Sequence, residues 1–125
     1  MRAFTASCHC GAVKLTGRFD IDARKPARCT CSFCRRRQAG NINCQVEDLQ
    51  VLQGASALRL YQFGTHRAEH YFCGTCGIYT HHRRRSNANE YGVNIGCIDG
   101  ENPWDYEPMD WHEGILHPSD TAVLK

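Results

Sequence analysis

Seven of the nine cysteines in this 125-residue chain lie in three short clusters, and these clusters constrain the fold more than any other feature. The clusters are Cys8-His-Cys10, Cys29-Thr-Cys-Ser-Phe-Cys34 and Cys73-Gly-Thr-Cys-Gly77. Sulfurs separated by one or two residues can bind one ion without a long loop closing between them, and tetrahedral zinc favours such soft ligands. The spacing therefore predicts zinc sites rather than disulfides. Seven sulfurs divide into four, which close a structural site, and three, which leave one coordination position open.

The composition is that of a single domain, 1–125, in a reducing compartment. The first residues lack the apolar stretch of a secretory signal, and no run approaches the roughly 18 apolar residues of a membrane span. We therefore expect a cytoplasmic protein without membrane contact, in which clustered cysteines stay reduced. The formal charge of +2 is too small to indicate nucleic-acid binding. Such binding would depend on the local triplets Arg35–Arg37 and Arg83–Arg85.

Strand signals outnumber helix signals along the chain. Short stretches that partly alternate, or are rich in β-branched and aromatic residues, lie at 12–19, 46–52, 58–63, 69–72, 78–82 and 91–95. One brief helix is expected at 35–38, before Gly40. We expect a mainly β, small single-domain zinc-binding fold of several short antiparallel sheets with at most one or two short helices. The segment 100–125 is predicted to be irregular, with Trp104 and Trp111 pinning a loop at 101–114.

Four cysteines form the predicted structural site, here called the tetrad: Cys8, Cys10, Cys73 and Cys76. Cys8 and Cys10 are two residues apart, so in an extended segment their side chains project to one face. The glycines beside Cys73 and Cys76 permit a knuckle turn with positive φ angles. Two alternatives stay open, a redox pair at Cys73 and Cys76 or their assignment to the central cluster. A thioredoxin-like pair should open a helix in a βαβ unit, which this sequence does not offer.

The remaining three clustered cysteines, here called the trio, are Cys29, Cys31 and Cys34. They can cap one face of a second zinc ion, and we expect this ion to be the more labile of the two. The arginines around them suit an anionic ligand and lower the pKa of a nearby thiol. The alternative is a closed site whose fourth ligand is Cys44, His66 or His70. The run Arg35–Arg37 is also compatible with a solvated surface.

Other candidate residues receive structural interpretations. Cys44 and Cys97, in strand-like apolar surroundings, are interpreted as buried small hydrophobic residues. His81 and His82 are predicted at the surface, and His9 is expected to face away from the tetrad. Structural roles are favoured for His66 and His70, with completion of the second site or orientation of a substrate as the alternative. Core or lid packing is favoured over a substrate cleft for Trp104, Tyr106 and Trp111.

Three motifs together resemble the glutathione-dependent formaldehyde-activating enzyme family, which includes centromere protein V. They are Cys8-His-Cys-Gly-Ala-Val13, Cys29-Thr-Cys-Ser-Phe-Cys-Arg-Arg36 and Phe72-Cys-Gly-Thr-Cys-Gly77. The resemblance covers about 8–99, and the stretches 64–70, 85–87 and 97–99 are closer to the centromere protein V branch. It implies a β-rich fold with a structural zinc on the tetrad and a second zinc on the trio, two zinc ions per chain.

The resemblance also implies an activity. The family's namesake joins formaldehyde to the thiol of glutathione, giving S-(hydroxymethyl)glutathione, and so belongs with the carbon–sulfur lyases. In this chain the trio would present the substrate thiol as a thiolate beside the aldehyde, with Arg35, Arg36 or Arg37 holding the carboxylates of glutathione. The alternatives are a non-catalytic zinc module that binds nucleic acid or a protein partner, and a glutathione-binding carrier.

Overall fold

The computed structural model describes residues 1–20 and 25–116, which form ten strands and one short α-helix. The strands are β1 (Arg2–Ser7), β2 (Lys14–Phe19), β3 (Ala27–Cys29), β4 (Asn41–Gln45), β5 (Gln50–Gln53), β6 (Leu58–Tyr61), β7 (Glu69–Cys73), β8 (Tyr79–Arg83), β9 (Glu90–Asn94) and β10 (Asp110–His112). The helix α1 spans Cys34–Arg37, and four 3-10 turns lie at Val46–Asp48, Ala55–Ala57, Ile95–Cys97 and Pro103–Tyr106.

The strands form two sheets. A three-stranded sheet has the order β1-β2-β5, and a seven-stranded sheet has the order β10-β3-β4-β9-β8-β7-β6. Among the ten described strands every pair is antiparallel except β10 with β3, which is parallel. The mainly β prediction with one short helix is confirmed, and the parallel edge pair makes the larger sheet mixed.

The core lies between the two sheets. Phe4 and Leu15 from the small sheet and Ile42 and Val93 from the large one are each at most 5% exposed and belong to one hydrophobic cluster. Gly17 permits the close approach, because a Cβ there would lie 2.8 Å from the Phe4 ring and 3.0 Å from Cys44 Sγ. Burial of this apolar area at about 25 cal/mol per Å² drives the two sheets together.

Four strands escaped the sequence analysis. β3 and β10 are three residues long, too short to show a period, and β1 reads Arg-Ala-Phe-Thr-Ala-Ser, in which alanine weakens the strand signal. β4 reads Asn-Ile-Asn-Cys-Gln, and asparagine is depleted in strands. The stretch expected as a strand at 46–52 begins instead with a 3-10 turn, and its strand β5 starts at Gln50.

The C-terminal segment differs from the predicted irregular loop. It contains the 3-10 turn Pro103–Tyr106 and strand β10, and the part beyond 116 lies outside the described residues. Trp104 is 80% exposed and so does not pin the loop, while Trp111 is exposed and lies over the Arg28 guanidinium. The buried anchor is Met109, whose side chain lies against Gly40 where a Cβ would otherwise be.

The two histidines predicted at the surface are not there. His81 is 3% exposed, stacked on Tyr71 and edge-on to Tyr91, and His82 is partly buried with its ring against Gly92. Aromatic residues of neighbouring strands cover these rings. The arginines that follow the two histidines made a surface position look more favourable in the sequence.

The burial expected for Cys44 and Cys97 is confirmed, although Cys97 lies in a 3-10 turn. No helix in 1–20 or 25–116 has the length and apolar character that crossing a bilayer requires.

Candidate metal centres and the adjoining cleft

The tetrad sulfurs have the spacing of a tetrahedral zinc site. The four Sγ atoms lie within 4.8 Å of one another. Cys10 Sγ lies 3.6 Å from Cys8 Sγ and 3.7 Å from Cys73 Sγ. Zinc–sulfur bonds of about 2.3 Å at tetrahedral angles place sulfurs about 3.8 Å apart, whereas a disulfide requires about 2.05 Å. The four residues therefore fit a zinc ion, and all nine cysteines are free of disulfides.

Two turns deliver the tetrad. Cys8 and Cys10 lie in the turn between β1 and β2, whereas Cys73 ends β7 and Cys76 lies in the turn that follows, so the cluster joins the two sheets. Gly77 adopts φ +79°, which a glycine reaches without strain. The Thr75 backbone N–H donates to Cys73 Sγ at 3.4 Å. Backbone N–H groups of Cys10 and Ile78 lower the pKa of Cys76 to about 6, and so favour the thiolate that zinc binds.

The trio sulfurs also lie within 4.8 Å of one another. Cys29 ends β3, Cys31 follows in a bend, and Cys34 begins α1. The Cys34 backbone N–H donates to Cys31 Sγ at 3.2 Å. Hydrogen bonds from the Cys29 and Cys34 thiols lower the pKa of Cys31 to about 2, so negative charge settles first on Cys31. Three convergent sulfurs, one of them easily ionised, fit a zinc ion on one face.

None of the three residues considered as a fourth ligand shares the trio's cluster within the described part of the chain. Cys44 lies in the core beside Gly17, and His66 is exposed. His70 is buried nearby, but its Nδ1 faces Arg37 Nη1 at 3.0 Å. The structure therefore offers the trio three protein ligands.

The C-terminal segment covers one side of the trio, which the sequence analysis missed. The Thr30 backbone N–H donates to the carbonyl of His112 at 2.9 Å, and the Gly114 N–H donates to Thr30 Oγ1 at 3.0 Å. A Cβ on Gly114 would lie 2.4 Å from Cys29 Sγ. A glycine two residues after β10 is thus a packing requirement of the cluster, and no spacing rule would have connected positions 29 and 114.

A cleft with a cavity volume of about 170 Å³ opens beside the trio, and all three cysteines line it. Its rim is basic. Among the described lining residues, four side chains are cationic, those of Lys25, Arg28, Arg84 and Arg85, and one is a carboxylate, that of Glu113. Salt bridges to Glu107 and Glu90 partly neutralise two of these arginines. Lys25 and Arg85 supply the remaining positive charge, so the cleft suits an anionic ligand.

The arginines predicted to bind substrate lie elsewhere. Arg35 and Arg36 are exposed on α1, and neither lines the cleft. Arg37 points into the protein, where its guanidinium lies 3.6 Å from the centroid of the Tyr79 ring. The loop after β8 brings two members of the other arginine triplet, Arg84 and Arg85, to the cleft. The sequence shows that triplet, but the position of the loop depends on sheet topology.

Two histidines complete the wall of the cleft. His70 and His82 are directly paired across β7 and β8, so both side chains lie on one face of the large sheet. Burial, with help from the Arg37 charge, lowers the pKa of His70 to about 3 and that of His82 well below its usual value. Both rings are therefore neutral near pH 7. The Tyr79 hydroxyl lies 2.6 Å from His82 Nδ1 and holds that ring in place.

Comparison with known proteins places the chain in a family. The family model described as glutathione-dependent formaldehyde-activating enzyme matches residues 3–113. That span begins before Cys8 and extends past the expected limit near 99 to include β10. The crystal structure of a Rhodobacter sphaeroides protein is similar, with 50% sequence identity and a TM-score of 0.83. The match covers 86% of this chain and 99% of that protein.

Proposed function

Because the chain belongs to the glutathione-dependent formaldehyde-activating enzyme family, we propose that it is a carbon–sulfur lyase. The proposed reaction adds the thiol of glutathione, or of a similar compound, to formaldehyde or another small aldehyde and yields a hemithioacetal. The observation that carries this proposal is the trio of convergent sulfurs at the base of a basic cleft.

The two cysteine clusters have different roles in this proposal. The tetrad joins the two sheets and holds a structural zinc ion, because its four sulfurs complete a tetrahedron without substrate. The trio holds a second zinc ion, which when bound supplies a position for the substrate thiol and lowers the pKa of that thiol. The accessible cleft admits a ligand to this cluster, whereas the tetrad needs no access for its role.

The rim of the cleft supplies recognition of the thiol compound. Glutathione carries carboxylates at its ends and an ammonium group, and an arginine binds a carboxylate through paired N–H donors. Arg85 and Lys25 are the cations of the rim without a described salt bridge, so we assign them to the carboxylates. Glu113 is the rim's acid and suits the ammonium group. These residues replace Arg35–Arg37 in the proposal, because none of those three lines the cleft.

The reaction itself requires little covalent chemistry from the protein. A bond forms between the thiol sulfur and the carbonyl carbon, the carbonyl π electrons move to oxygen, and the proton lost by the thiol ends on that oxygen. Addition of thiols to aldehydes also proceeds without a catalyst. The protein therefore contributes by keeping the thiol ionised and by holding it beside the aldehyde in a confined cleft.

The chain offers less support for a nucleic-acid module. Arg37 lies against Tyr79, Arg84 pairs with Glu90 at 3.1 Å, and Arg85 lines the cleft. The two triplets therefore do not present six free cations to a phosphate backbone. We also propose a cytoplasmic location, since nine unpaired cysteines suit a reducing compartment.

The proposal is tested by exchange NMR of glutathione and formaldehyde with the zinc-loaded protein. We expect exchange between free thiol and hemithioacetal to exceed the uncatalysed rate. A Cys31→Ser variant should lose this acceleration while it keeps the tetrad zinc. Cys44→Ala is the matched control, because it removes a buried thiol that belongs to neither cluster. Full acceleration in a folded Cys31→Ser variant that holds one zinc ion would exclude the role given to the trio.

A further inference from the structure

Arg37, the one member of its triplet that points inward, is a cation without a carboxylate partner among residues 1–20 and 25–116. Its Nη1 lies 3.0 Å from His70 Nδ1, and its Nη2 lies 3.6 Å from Cys34 Sγ. The guanidinium also stacks on the Tyr79 ring, and its Nε is buried with no hydrogen-bond partner. Removing a guanidinium from water without a carboxylate partner is costly. We therefore ask what the contacts of Arg37 to His70 and Cys34 contribute to the cleft.

The contact between Arg37 and His70 fixes where the imidazole carries its proton. A guanidinium offers hydrogen-bond donors and no acceptor, so His70 Nδ1 must be the acceptor in this pair. A neutral imidazole has one N–H, and the proton of His70 therefore resides on Nε2. The ring is neutral near pH 7, because burial lowers its pKa to about 3. The contact with Arg37 therefore makes Nε2 the hydrogen-bond donor of the His70 ring.

The ring is also fixed in orientation by its neighbours. The centroid of the Phe33 ring lies 4.5 Å away, and the Phe63 and His82 rings stack on it at 5.7 and 5.2 Å. His70 is 5% exposed, and the cleft beside the trio is one of the spaces that it lines. Within the described residues, Arg37 is the hydrogen-bond partner that His70 has. Arg37, the neighbour of Nδ1, does not line this cleft whereas His70 does, so we take the Nε2–H to face the cleft.

We propose that His70 is a catalytic residue that donates its Nε2–H to the carbonyl oxygen of the aldehyde, and that Arg37 is the positioning residue that sets this tautomer. The inference deepens the proposed function and depends on it for the identity of the reaction. As the carbon–sulfur bond forms, negative charge develops on the oxygen, and a preorganised donor stabilises that charge more than it stabilises the substrate. His70 keeps its proton throughout, and the proton released by the thiol reaches the oxygen through solvent.

Two substitutions of His70 separate its two nitrogens. In His70→Asn the side-chain oxygen can still accept from Arg37, but the donor into the cleft is lost. In His70→Gln the amide nitrogen reaches the place of Nε2 and keeps a donor. We expect H70N to lower the catalysed rate at saturating glutathione by about 10- to 100-fold with little change in KM for glutathione. H70Q should be at least tenfold faster than H70N.

The matched control is His66→Asn. His66 is exposed, outside the cleft, and adopts φ +58°, a region that asparagine tolerates. It should leave the rate unchanged. All variants are compared at equal zinc content, so a structural loss of metal is detected separately. Equal rates for H70N and H70Q, or a wild-type rate in H70N, would overturn the catalytic role of His70.

A spectroscopic measurement tests the tautomer without turnover. Nitrogen-15 NMR of the histidine side chains should show His70 with a protonated Nε2 and an unprotonated Nδ1 in the wild-type protein. Arg37→Met should abolish this preference, because the donor to Nδ1 is gone. A protonated Nδ1 in the wild-type protein would overturn the assignment. Failure of the wild-type protein to accelerate hemithioacetal formation would refute the proposed function and the catalytic role together, whereas the NMR result stands on its own.

Discussion

Replacing Gly114 with alanine should displace the metal ion of the trio and leave the tetrad loaded. The added Cβ would lie 2.4 Å from Cys29 Sγ, 3.0 Å from Cys31 Cβ and 3.2 Å from the Cys31 backbone nitrogen. Ordinary contacts lie at about 3.5–4.0 Å, so the Cβ and Cys29 Sγ must separate by about 1 Å. Gly114 does not have a positive φ angle, so the backbone itself accepts alanine.

The metal site cannot absorb a displacement of that size. Zinc–sulfur distances in protein sites hold within about 0.2 Å of their usual values, so moving one sulfur by about 1 Å removes a ligand. Even changes outside the ligands themselves cost about 10- to 100-fold in metal affinity. We therefore expect G114A to lose at least this much affinity at the second site, with overpacking adding about 1–3 kcal/mol of destabilisation.

The assay is zinc content per chain after dialysis against increasing concentrations of a chelator. The wild-type protein should release one ion before the other, and G114A should release its first ion at 10- to 100-fold lower chelator concentration. Gly96→Ala is the control, because its Cβ would meet only the Asn94 side chain at 3.3 Å and the Pro103 ring at 3.7 Å. Unchanged release of both ions from G114A would refute the packing of the C-terminal segment against the trio.

Three further predictions follow from the geometry. Arg85→Gln should raise KM for glutathione about tenfold with little change in kcat, since it removes a charged donor from the rim, whereas Arg35→Gln, outside the cleft, should change neither constant. Burial lowers the pKa of His81 in the folded protein to about 4. As the pH falls below about 6.5, the imidazole of His81 is therefore protonated in the unfolded chain but not in the folded one, and the free energy of unfolding decreases until about pH 4. Between pH 7 and pH 5, urea unfolding should therefore show about 2 kcal/mol more loss for the wild-type protein than for His81→Gln, and equal losses would contradict the burial. Cys73→Ser should abolish cooperative unfolding, because it removes a structural zinc ion worth on the order of 10 kcal/mol, while Cys34→Ser should keep it; near-ultraviolet circular dichroism distinguishes the two.

The partition of the seven clustered cysteines was accessible from sequence because it is governed by local spacing. Cys29, Cys31 and Cys34 lie within six residues, and each half of the tetrad is a pair in a turn. The two halves of the tetrad are far apart in the sequence, and we paired them because a structural zinc ion requires four ligands. Six strands were also predictable, because their sequences are rich in β-branched and aromatic residues, and β2 in addition alternates between buried and exposed positions.

The cleft was not accessible in the same way, because it depends on which segments meet. Arg85 and Gly114 come to the trio through the β8 loop and the parallel pairing of β10 with β3, and neither leaves a local signal. The charge of Arg37 indicated a solvent-facing or substrate-facing role. Its burial against Tyr79 and His70 follows from the short helix α1, which turns its third arginine towards the sheet.

Absorption spectroscopy at the selenium edge can show whether the trio holds a metal ion that accepts the substrate thiol. The zinc-loaded protein is mixed with the selenium analogue of glutathione, so that every selenium signal comes from the ligand. We expect a zinc atom in the first shell around selenium, and we expect G114A to lose this signal. A first shell of carbon alone in the wild-type protein would rule out coordination of the thiol at the trio.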